Sequence, residues 1–107
     1  MSDPPTAARP RRLRLAPEWE CWPTWDHETG DNLDPASLGL PDGIVARINA
    51  WDAAFQATYD RDDPLASCFP SREAEATYLA EGRAIAGELA ARLPPGTLIV
   101  RLAGLDA

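Results

Sequence analysis

Between Pro41 and Pro64 the residues Ile44, Ile48, Trp51, Phe55 and Tyr59 recur at spacings of four, three, four and four. That period is helical, and one apolar stripe along a helix must be buried against something. Pro41 suits the first turn, Asp42 favours the positive end of the helix dipole, and RDDP at 61–64 stops the run. The spacing predicts a helix over about 42–59. A second start follows at Ser71, a good N-cap with Glu73 and Glu75 behind it. Leu79, Gly82, Ala86, Leu89 and Leu93 form its stripe, flanked by Tyr78, Ile85 and Ala90, and Pro94-Pro95-Gly96 ends it. Gly82 and Gly87 each cost about 1 kcal/mol against alanine inside a helix, so both point to close approach of another backbone or ring.

Two helices need a partner layer, and the rest of the chain is β-like. RRLRLA (11–16) alternates, setting Leu13 and Leu15 on one face and Arg12 and Arg14 on the other. TLIVRLAG (97–104) suits a central strand paired with it. Glu20–Trp25 and Asp31–Leu33 can form an irregular hairpin around HETG, with Pro23 confining its first arm to an edge or bulge. The economical architecture is α+β: a small two-layer sandwich in which a sheet of about three strands is covered on one face by two antiparallel helices. Residues 1–10, rich in Pro and Ala, read as a disordered arm, and 11–107 as a single α+β domain. A chain of 107 residues can remove roughly two-thirds of its unfolded surface from water.

Charge narrows the function. The formal net charge is −7, but Arg9, Arg11, Arg12 and Arg14 against Asp3 put +3 on the first fourteen residues, leaving −10 on the rest. Such a body repels nucleic acid and anionic membrane and steers basic proteins. No segment approaches the roughly 18 apolar residues of a membrane span, and the N-terminus lacks the apolar region of an export signal. Cys21 and Cys68 are then expected as reduced thiols.

No catalytic or metal motif emerges. Cys21 and His27 are the only thiol–imidazole pair, and the histidine lies in an acidic turn ill suited to a general base. From Asp26 onward an EF-hand pattern fails, because Gly30 stands where a ligand belongs and no glutamate closes the loop. PPGT precedes a strand instead of following one, and the chain has no lysine for a phosphate loop. No cofactor, metal or catalytic residue is expected.

The tryptophans remain. Trp51 belongs to the first helix stripe and therefore to the core. Trp19, Trp22 and Trp25 recur every three residues, so strand alternation sends Trp22 to the face opposite Trp19 and Trp25. Three indoles cannot all face one small core, and Trp22 or Trp25 is expected to point outward beside Asp26.

CWPTW (21–25), DNLDP (31–35), a helical Trp51, DDP (62–64) followed by Phe69, and a helical EG (81–82) together resemble small acidic bacterial proteins of the polymorphic-toxin immunity type. The resemblance spans residues 13–103. It implies a cytoplasmic inhibitor that binds a cognate toxin domain, with acidic residues facing a basic, nucleic-acid-binding cleft. It brings no catalytic residues. The residues expected to meet the partner are Trp22 and Trp25 as anchors, with Asp26, Glu28, Asp31, Asp60, Asp62 and Asp63 as a charged rim, the two acidic segments sharing one edge. Two alternatives stay open: a small-ligand binder or enzyme with an indole- and carboxylate-lined pocket, and a structural or regulatory subunit.

Overall fold

The computed structural model describes residues 11–60, 62–63 and 68–102. The expected arm at 1–10 lies outside the described residues, as do the last residues assigned to the domain. Four strands form one mixed sheet in the order β3-β2-β1-β4, from β1 (Leu13–Leu15), β2 (Thr24–Asp26), β3 (Asn32–Leu33) and β4 (Leu98–Val100). Strand β1 runs antiparallel to β2, with Arg14 opposite Trp25, and parallel to β4, with Arg14 opposite Ile99. The α+β architecture is as expected, but with one strand more, because the second arm of the tryptophan hairpin pairs as a strand of its own, Thr24 with Leu33 and Trp25 with Asn32. Two placements are exchanged: β4, expected to be central, lies at an edge, and the first hairpin arm, expected at an edge or bulge, is internal, because Pro23 stands before β2 and not within it.

Two helices, α1 (Asp42–Gln56) and α2 (Arg72–Arg92), follow the short 3-10 turn Pro35–Ser37. Ser71 caps α2, its hydroxyl accepting the Ala74 N–H at 3.0 Å. Helix α1 ends three residues before the stripe does: Thr58 N–H bonds back to Phe55 O at 3.0 Å, tightening the last turn, and Tyr59 turns aside to stack on Trp19 at 5.0 Å. Leu13 and Leu15 point into a core shared with Ile48, Ile85, Leu89 and Leu102. The alternate face of β1 carries Arg14, as a half-buried strand requires.

Aromatic rings fill the seam between the helices. Trp51 stacks on Tyr78 at 4.9 Å and 8°, and its indole Nε1 donates to the Tyr78 carbonyl at 2.9 Å. A Cβ on Gly82 would stand 2.9 Å from Trp51 Cζ2 and 2.9 Å from Leu102 Cδ1, which accounts for that glycine. At Gly87 nothing lies within 4 Å, so the close approach expected there is absent. Across the helix surface Arg47 pairs with both Glu81 and Glu88, half-exposed contacts that contribute little.

Among the described residues the Tyr78 hydroxyl is buried with no hydrogen-bond partner. Burial, and secondarily the Asp52 carboxylate, pushes this phenol above its ordinary range, so it stays neutral. An unsatisfied buried hydroxyl costs about 1–3 kcal/mol. Tyr78→Phe keeps every ring contact and is expected to raise the unfolding free energy by about 1 kcal/mol, measured by urea titration.

Candidate functional site

After β1 the chain does not turn directly into β2. Residues 16–22 swing across the C-terminal end of α1, and Trp19 packs there between Phe55 at 5.7 Å and Tyr59 at 5.0 Å. Its Nε1 donates to Thr58 Oγ1 at 3.2 Å. Glu20 then takes φ 66°, a left-handed conformation that costs a non-glycine residue on the order of 1 kcal/mol. That twist breaks strand alternation and separates Trp19 from Trp25, which sit on different surfaces.

One side chain holds the loop in place. Gln56 Oε1 accepts the Glu20 N–H at 2.7 Å, while its Nε2 donates to Glu18 O at 2.8 Å, Cys21 O at 3.3 Å and Asp52 Oδ1 at 3.2 Å. Trp22 is fixed by its main chain: Asn32 Oδ1 accepts its N–H at 3.0 Å, and Asn32 Nδ2 donates to its carbonyl at 2.8 Å. The residue is left 45% exposed, the exposed large hydrophobic of the described residues. Gln56→Ala is expected to speed hydrogen exchange at the Glu20 amide at least tenfold and to lower stability by about 1–2 kcal/mol, because one change removes several loop bonds.

Trp22, Glu20, Cys21 and Asn32 form one side of a groove of about 370 Å³, with Asp52 and Gln56 from α1 on the other. Burial raises the Asp52 carboxyl above the usual carboxylate value, and the hydrogen bond from Gln56 partly opposes that rise. The groove therefore pairs an exposed indole, on a main chain held by Asn32, with a partly desolvated carboxylate.

The other expected contact residues are spread over the molecule. Trp25 lies on the open face of the sheet, beneath the Arg14 guanidinium at 5.5 Å, and its Nε1 donates to Ala16 O at 2.8 Å. Asp26 Oδ1 accepts the N–H groups of Glu28 at 2.9 Å and Thr29 at 3.2 Å, which closes the β2–β3 turn. Glu28 is paired with Arg12, and Asp31 is exposed at the end of the same turn. Asp60 Oδ1 accepts the N–H groups of Asp62 at 3.0 Å and Asp63 at 3.1 Å, leaving those two residues exposed.

The two acidic segments do not share an edge. His27 N–H bonds to Arg12 O, so the 27–31 turn lies beyond the N-terminal end of β1. Trp19 carries the C-terminal end of β1 onto Phe55 and Tyr59, and Asp60 follows directly. The separation arises because α1 ends beside the loop that opens the hairpin, whereas the 26–31 acids occupy the hairpin's tip. Between them the open sheet face is arginine-bearing: Arg14, Arg101, Trp25, His27 and Cys21 border a groove of about 540 Å³. Among the described residues no group of three or more His, Cys, Asp or Glu is arranged to hold a metal ion, and no helix is long and apolar enough to cross a membrane.

Sequence reasoning missed Glu20, Asp52 and Gln56. The available signal was the i, i+4 spacing of Asp52 and Gln56 on a predicted helix, flanking its apolar stripe. The family model described as Serratia CdiI immunity protein-like matches residues 11–101 of this chain. None of the curated proteins matches it.

Proposed function

Since the chain belongs to the Serratia CdiI immunity protein-like family, we propose that it is a non-enzymatic immunity protein that binds and blocks a cognate bacterial toxin domain. The observation that carries this reading is Trp22, a large indole held exposed by main-chain bonds beside the carboxylates of Glu20 and Asp52. Exposed aromatics set in a polar rim are typical binding anchors, and same-sign carboxylates around them supply steering and register. Asp60, Asp62 and Asp63 extend that acidic end past α1.

Asp26, Glu28 and Asp31 at the far tip of the hairpin act on the partner at longer range. Their charge adds to the field, while Asp26 and Glu28 are also tied into the turn. Trp25, covered by Arg14, serves as a secondary contact on the sheet side. A chain of net charge −7 fits a basic toxin that works on nucleic acid, whose cleft must attract phosphates. Inhibition then means occupying that cleft, in the cytoplasm where such a target lies.

The test is co-expression with the toxin domain encoded beside this chain's gene. Growth is expected to be restored, and the two proteins are expected to co-purify as a complex whose association slows as salt rises. Continued killing in cells that contain the folded chain, with no complex recovered, overturns the reading.

A further inference from the structure

We infer that the groove between Trp22 and Asp52 receives an arginine side chain of the toxin, stacked on the indole and bonded to the Asp52 carboxylate. The inference rests on the immunity reading above and names the chemistry of its central contact. Three features of the groove point to a cationic, planar occupant.

The bonds from Asn32 at 3.0 and 2.8 Å order the Trp22 main chain before any partner arrives, so meeting the indole costs no further backbone ordering. Across the groove, the Asp52 carboxylate is partly stripped of water by burial, with one oxygen accepting from Gln56 at 3.2 Å. An arriving guanidinium supplies the donors that water no longer does, and such charge-assisted bonds are the strong ones. Volume fits as well, since about 370 Å³ accommodates one long side chain and is too small for a helix. A guanidinium satisfies the aromatic face and the Asp52 carboxylate at once, whereas an ammonium is a compact, strongly hydrated charge that prefers water.

One substitution separates binding from folding. Asp52→Asn removes a carboxylate that is harder to ionise in the folded chain than in the unfolded one, so the variant is expected to melt no lower than the wild type. In calorimetric titration against the toxin domain encoded beside this gene, it is expected to weaken binding by about tenfold or more. Alanine substitution of each toxin arginine and lysine should then identify one arginine whose loss adds less than about twofold when combined with Asp52→Asn. An Asp52→Asn chain that melts normally and binds within twofold of the wild type overturns the inference while leaving the immunity reading intact. Coupling to a lysine, or to no cationic residue, also overturns it. Absence of any binding by the wild type would remove the immunity reading itself.

Discussion

Gly82→Val is expected to destabilise the chain by about 3 kcal/mol and to lower its melting temperature by roughly 15 °C. The space a side chain needs is already occupied: a Cβ alone would stand 2.9 Å from both Trp51 Cζ2 and Leu102 Cδ1. Neither neighbour can retreat cheaply. Trp51 is 4% exposed, stacked on Tyr78 at 4.9 Å, and tethered through Nε1 to the Tyr78 carbonyl at 2.9 Å. Leu102 is fully buried among β1, α1 and α2 residues. Gly87 is the internal control on the same helix, with open space around its Cα. Gly87→Ala gains helix propensity without a clash and is expected to stabilise by about 1 kcal/mol. Thermal and urea unfolding of the two variants side by side measures the contrast. Equal effects would mean that helix propensity, and not the approach of α1, decides what stands at Gly82.

The same pair of glycines marks how far sequence reasoning reaches. Helix periodicity is a local property, so the apolar stripes, the Ser71 cap and the core position of Trp51 were all legible. Alternation in β1 and its pairing with β4 were legible for the same reason. Sequence could flag two costly glycines on α2, but only the packed structure distinguishes the one facing Trp51 from the one facing solvent. The candidate site was less accessible. A non-glycine residue at φ 66° leaves no mark in composition, and it undoes the alternation on which the placement of Trp19, Trp22 and Trp25 depended. Gln56 looks like any polar residue flanking a helix stripe until the loop that it bonds has been folded over it. The end of α1 follows from Tyr59 stacking on Trp19, a contact between distant segments, and that placement is also what separates Asp60–Asp63 from the 26–31 turn.

Trp22→Ala is expected to weaken binding of the toxin domain by about a hundredfold and to abolish protection in co-expressing cells, while leaving stability within about 1 kcal/mol of the wild type. The separation of effects follows from how each indole is held. Trp22 is attached to the fold through its main chain, by Asn32 at 3.0 and 2.8 Å, and the residue is 45% exposed; truncation removes contact area from the partner and little from the core. Trp19→Ala should behave in the opposite sense. Its ring is stacked between Phe55 and Tyr59 and bonded to Thr58, so its loss costs about 3 kcal/mol of folding and affects binding only through the loop. Trp25→Ala falls between them, losing the Ala16 bond and the Arg14 cation–π contact and weakening the hairpin by about 1 kcal/mol. Calorimetry against the toxin and urea unfolding of all three variants distinguishes these patterns. A Trp22→Ala chain that folds, binds and protects like the wild type would move the interface away from the α1 end of the molecule and onto the arginine-bearing face of the sheet.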